Sequence, residues 1–196
     1  IGLSGLSSAH TLLTDNLSSK GGYMLNSRNI RLEKDWDVII VGGGPSGCAA
    51  AIAAAREGAR TLLIEAMGSL GGMGTLGLIP AWCPFTDKEK IIYRGIAEKV
   101  LMESKKGVPH IPAKQLDWVP IHAEQLKRVY DEMVISSGAH VLFYTRVADV
   151  IKNGNDEIDA LIVANKNGLT ACQAKVYIDC TGDGDIAAWA GAKFDK

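Results

Sequence analysis

A chain of 196 residues with 47% hydrophobic and 22% charged side chains is too apolar for a disordered protein and long enough to bury roughly 70% of its unfolded surface. With 21 basic against 22 acidic residues, the net charge of -1 supplies no basic field for gripping nucleic acid or an anionic lipid surface. No run approaches the roughly 18 to 20 apolar residues of a membrane-spanning helix.

Residues 1 to 35 are rich in Ser, Gly, Asn and Leu without a sustained period, and read as a flexible leader. The chain starts at Ile1, which points to a processed or incomplete N-terminus. Ile1 to Ala9 is open to two readings: an ordinary flexible tail, or the end of a signal-peptide apolar region with no basic segment before it. The expected compartment is the cytoplasm, with export following from the second reading.

From Trp36 the pattern changes, and residues 36–196 read as one domain. Asp37-Val-Ile-Ile-Val41 is a short β-branched run, the mark of a strand buried on both faces of a parallel sheet. A helix follows from Pro45 to Gly58, with a small-residue face of Ala49, Ala50, Ala53 and Ala54, and then a second buried strand, Thr61 to Ile64. The unit is β-α-β. Residues 66 to 87 form a long connection of the kind that compact domains keep when it has a job. Helices are expected from Lys88 to Lys105, with Ile92, Ile96 and Val100 on one face, and from His122 to Ser136, with Leu126, Val129, Tyr130, Met133 and Val134 inward. Val141 to Tyr144, Val147 to Lys152, Ile158 to Ala164 and Val176 to Asp179 are short strands separated by turns, which suggest an antiparallel meander attached to the sheet. The fold class is α/β: a Rossmann-like parallel sheet with flanking helices and an antiparallel β-meander.

Cys48, Cys83, Cys172 and Cys180 form no C-x-x-C pair and no ligand spacing with the four histidines. Zinc is not expected, and the cysteines read as small core residues in a reducing compartment.

The clustered glycines carry the function. Gly42-Gly43-Gly44-Pro45-Ser46-Gly47 is a G-x-G-x-x-G lying between a buried strand and a helix, the context that makes this motif specific. Gly42 permits the tight turn, Gly44 lets backbone approach a pyrophosphate, and Gly47 lets helix and strand pack closely. The phosphates would sit on the free N–H groups and positive dipole of the helix start. Glu65, at the end of the second strand, would accept hydrogen bonds from an adenosine ribose and repel a 2'-phosphate.

These residues alone say dinucleotide. Together with the Gly71-Gly72-Met-Gly-Thr75 loop and the terminal Ile178-Asp-Cys-Thr181-Gly182-Asp183-Gly184-Asp185, the chain from Trp36 to Phe194 resembles the bacterial FAD-dependent oxidoreductases of the glutathione-reductase-like fold. The resemblance implies that Gly71, Gly72 and Thr75 line FAD along its length. It also implies that the Val147 backbone meets the adenine, and that Thr181, Gly182 and Asp183 return the chain against the cofactor. Cys180 stands where that family commonly has alanine, and reads as packing. Members of the family usually continue further, so the chain resembles the N-terminal part of a larger flavoprotein.

The implied activity passes hydride or electrons between an unknown small-molecule substrate and the flavin, with a separate electron acceptor. The alternatives are an NAD-binding dehydrogenase and a non-catalytic dinucleotide-binding module. Trp82, Cys83 and Asp87 could face a substrate, and His110 or His122 could act as acid or base, but none is assigned as catalytic because geometry must come first.

Overall fold

The computed structural model describes residues 29–154 and 157–195; the leader and signal-peptide expectations for residues 1–28 lie outside them. Six strands form one sheet: β1 (Arg31–Val41), β2 (Thr61–Ile64), β3 (His140–Leu142), β4 (Arg146–Lys152), β5 (Ile158–Asn165) and β6 (Gly168–Asp179), in the order β3-β2-β1-β6-β5-β4. The helices are α1 (Pro45–Arg56), α2 (Ile96–Ser104), α3 (Ala123–Ser136) and the short α4 (Asp185–Trp189).

β3, β2, β1 and β6 run parallel, while β6, β5 and β4 form the antiparallel meander. The expected strand at Val141 is present but belongs to the parallel edge rather than to the meander. The chain leaves β2, crosses through α2 and α3 and returns in the same direction, so Leu62, Leu63 and Ile64 pair with His140, Val141 and Leu142. A crossover containing helices gives parallel pairing where a tight turn would give antiparallel.

β1 starts five residues before the composition changes at Trp36. Arg31, Leu32 and Glu33 pair with Thr170, Ala171 and Cys172, and a register shift follows between Glu33 and Trp36, where Asp35 has a φ of 73°. This outer stretch is mostly exposed, so its apolar pattern is weak and composition alone assigned it to the leader.

The helix expected from Lys88 begins at Ile96 instead. Asp87 Oδ1 accepts the backbone N–H groups of Glu89 and Lys90, closing a turn, and Gly95 at φ 68° starts the helix anew. Ile92 is consequently exposed.

Both faces of the sheet are covered. Ile40 and Leu63 pack with Cys48, Ile52 and Leu126 under the helices, while Ile39, Val41, Leu62 and Ile64 pack with Leu161, Val163, Cys172 and Ile186 on the opposite side. Successive residues of β1 and β2 therefore serve different cores, which is why the two runs are continuously apolar. Each fully buried Ile or Leu contributes roughly 1.5–3 kcal/mol.

Candidate functional site

β1, β2 and β6 are neighbours, and their carboxyl ends open on one edge of the sheet. Gly42 continues β1, Glu65 continues β2 and Cys180 continues β6, held by Gly42 N–H donating to the Ile64 carbonyl and Cys180 N–H donating to the Val41 carbonyl, each at 2.8 Å. The crevice outside such strand ends is the usual ligand position in open α/β sheets.

Two glycines of the motif are demanded by packing. Gly42 has a φ of 98°, and a Cβ there would lie 2.3 Å from the Cys180 carbonyl oxygen; a Cβ on Gly47 would lie 1.8 Å from the Gly42 oxygen. Gly44 differs. It precedes α1 with Pro45 in the first turn, and among the described residues, its chain neighbours aside, no atom lies within 4 Å of where its Cβ would stand. No packing among the described residues requires glycine at position 44, whereas a group laid across the helix start would occupy that space. These residues fit a pyrophosphate.

Glu65 ties the glycine turn to β2. Its Oε2 accepts the Gly43 N–H and its Oε1 accepts the Met67 N–H, both at 2.6 Å. A carboxylate has about four acceptor positions, so capacity remains for ribose hydroxyls. The Gly43 carbonyl accepts the Gly71 N–H at 2.8 Å, which seats the second glycine loop against the first. A Cβ on Gly72 would lie 3.1 Å from the Gly44 Cα. Thr75, expected to line the cofactor, is fully buried, and its hydroxyl donates to the Leu70 carbonyl at 2.7 Å. Its side chain braces the loop from inside.

A cleft of about 440 Å³ opens at the strand ends and brings together Gly42, Glu65, Val147, Thr181 and Asp183 of the expected set, with Ala66, Thr145 and Arg146 beside them. Gly43, Gly44, Ser46, Gly47, Gly72, Thr75 and Gly182 do not line it; Pro45 and Gly71 line a second cavity, with Trp82 and Cys83. Asp185, Ile186 and Trp189 of α4 also line the cleft. The sequence reading missed this contribution of α4, although Asp185 and Trp189, four apart, share one helical face.

Asp179, part of the terminal motif but given no role from the sequence, organises the return turn. Its Oδ1 accepts the Thr181 N–H and hydroxyl, its Oδ2 accepts the Ala187 N–H, and the Thr181 oxygen in turn accepts the N–H groups of Gly184 and Asp185. Burial opposes the charge on Asp179, but the donors from Ala187 and Thr181 outweigh it and hold the carboxyl below its ordinary range. An acid two residues before a Thr-Gly turn was the available signal.

Of the catalytic candidates, Asp87 is spent on its own turn, and His122 caps α3, its Nδ1 accepting the Gln125 N–H at 3.2 Å. His110 is exposed and lines neither cavity. Cys48 and Cys172 are buried, and burial pushes their thiols up to about 12 and about 11; Cys83 is exposed. Cys180 packs with the helix-side core, its Cβ 3.4 Å from where a Gly47 Cβ would stand. Among the described residues no helix is long and apolar enough to cross a membrane.

Known proteins are similar to this chain in sequence and in fold. The chain is 27% identical over 177 residues to the digeranylgeranylglycerophospholipid reductase of Picrophilus torridus, covering 83% of this chain and 43% of that one. It is 32% identical over 140 residues to a ferredoxin–NADP reductase of Streptococcus agalactiae, covering 69% and 36%. The chain thus spans less than half the length of these curated relatives. The crystal structure of Thermovibrio ammonificans THI4 superposes with a TM-score of 0.55 at 17% identity, over 96% of this chain and 70% of that one, a likeness of fold. The profile of the FAD dependent oxidoreductase family matches residues 37–196, and the chain belongs to that family, whose cofactor is FAD.

Proposed function

We propose that the chain holds FAD in an extended form, with the adenosine in the 440 Å³ cleft and the pyrophosphate across the start of α1, and that the whole protein passes hydride or electrons between a small-molecule substrate and a separate acceptor. The observation that carries this reading is the open space at Gly44, flanked by two glycines that packing demands. Glu65 would meet the ribose hydroxyls with its remaining acceptor positions, and its charge disfavours a 2'-phosphate. The backbone of Val147, at the start of β4, would border the adenine, and the turn wound around Asp179 would present Thr181, Gly182 and Asp183. When bound, the flavin supplies the redox chemistry, and the protein positions and tunes it. The cytoplasm is our proposed location, on the strength of four unpaired cysteines.

The visible absorption spectrum of the purified, desalted chain, titrated separately with FAD and NAD, tests the cofactor assignment. A retained or titratable flavin band with no NAD binding is expected. NAD binding in place of FAD would overturn the reading. Bound FAD that no donor reduces, even in a full-length protein, would leave a non-catalytic binding module.

A further inference from the structure

The connection between β2 and α3 walls a second cavity, of about 320 Å³. One rim is formed by Pro45 and Gly71 of the two glycine loops, and another wall by Trp82, Phe85 and Tyr93. Those rings interlock edge to face, Trp82 with Phe85 at 5.8 Å and 86°, Phe85 with Tyr93 at 5.3 Å and 68°. The geometry is a favoured one for aromatic pairs.

The wall is pinned from behind. Asp117 accepts the backbone N–H groups of Phe85 and Thr86 at 2.7 and 2.9 Å and the Thr86 hydroxyl at 2.6 Å. The Trp82 backbone N–H donates to the Val119 carbonyl at 2.8 Å, and its indole N–H donates to Ser104 Oγ at 3.2 Å. The indole donor is thereby spent inside the protein. Among the described residues no Asp, Glu, Lys, Arg or His lines the cavity, so a charged group entering it would lose water without gaining a partner there. Tyr93, Tyr130 and Cys83 are among its lining residues and carry polar side-chain groups. Beside the aliphatic Met73, Ile79, Ile121 and Leu126, the rings of Trp82, Phe85, Tyr93 and Tyr130 line the cavity, and aromatic faces favour a ring as partner.

We propose that this cavity receives an uncharged, apolar ring of the substrate, beside the glycine loops across which the cofactor is laid. The inference rests on the FAD reading and adds to it the class of molecule, a neutral ring compound rather than an acid, an amine or a phosphate ester.

Three probes test it: 2-naphthol, its charged counterpart 2-naphthoate, and the flexible 1-octanol, each titrated into the chain by calorimetry with and without saturating FAD. The ε-methyl NMR signal of Met73, which lines the cavity, reports where binding occurs. Expected are a Kd for 2-naphthol on the order of 0.1–1 mM, binding of 2-naphthoate weaker by about tenfold or more, weaker binding of octanol, and a shift of the Met73 signal. Ala97 lines the cavity from an exposed position on α2, so Ala97→Phe should leave folding and FAD affinity intact while weakening 2-naphthol by about tenfold. Equal binding of naphthol and naphthoate, indifference to Ala97→Phe, or tighter binding of octanol overturns the proposal. Competitive displacement of naphthol by FAD also overturns it, because the cavity would then be the flavin's own seat. Selective naphthol binding in a chain that binds no FAD upholds the neutral-ring cavity and removes the flavin assignment instead.

Discussion

The Gly43 N–H donates to Glu65 Oε2 at 2.6 Å across 22 residues, so the acid at the end of β2 holds the glycine turn at the end of β1. Glu65 therefore supports the fold whether or not a ligand is bound. Glu65→Ala leaves the Gly43 and Met67 donors without this acceptor, and should lower unfolding free energy by about 1–3 kcal/mol in urea titrations. A variant as stable as the parent would show that water replaces the carboxylate without loss.

The glycines of the motif should separate into two kinds. Gly44→Ala meets no neighbour and needs no unusual backbone, with φ at -70°, so stability should change by less than about 1 kcal/mol while FAD affinity falls at least tenfold. Gly47→Ala forces a Cβ to within 1.8 Å of the Gly42 oxygen and should cost more than about 3 kcal/mol. Thermal melts paired with flavin titration distinguish the two. Equal affinity losses with equal stability losses would remove the distinction.

Asp179 ties acid stability to the return turn. Its carboxyl is held below its ordinary range in the folded chain. The stability it contributes is therefore fully present above the unfolded value near 3.9, and is lost as pH falls from there through the lower folded value. Asp179→Asn should reduce stability at pH 7 by about 1–2 kcal/mol and flatten the loss below about pH 4. Urea midpoints for both proteins between pH 3 and 7 measure this; parallel curves would contradict it.

Three of the four thiols should react in two classes. Cys83 is exposed, whereas Cys48 and Cys172 are buried with thiols pushed up to about 12 and about 11. At pH 7.5 iodoacetamide should modify Cys83 in the native protein and reach Cys48 and Cys172 only after denaturation. Peptide mass mapping reads the order, and early labelling of Cys48 would mean that the core under α1 opens readily.

Much of this arrangement could be read from residue patterns, for definite reasons. Asp37 to Val41 and Thr61 to Ile64 announced themselves because each feeds both cores, and Gly42, Gly47 and Glu65 because few other residue types suit their positions. The direction of β3 was hidden: three residues, His140 to Leu142, look alike in either pairing, and only the path through α2 and α3 decides. Ile96 as the true helix start was masked by Ile92, whose spacing fits a helix but whose position after the Asp87 turn leaves it in solvent. Asp179 escaped notice because the Thr181 hydroxyl is its one side-chain donor, while the others are the backbone N–H groups of Thr181 and, eight residues onward, Ala187.

The central place of β1 sets an order of events during synthesis. β1 is made early, yet one of its two neighbours is β6, and the ion pair joining them, Lys175 to Asp37 at 2.7 Å, spans 138 residues. At about 5–20 residues per second on the ribosome, the β1 edge waits roughly 7 to 30 seconds for its partner. During that interval an apolar strand with unpaired backbone is open to other chains. A nascent chain should therefore depend on shielding until β6 emerges, and the cleft lined by Gly42, Glu65 and Thr181 is complete only once β6 is in place.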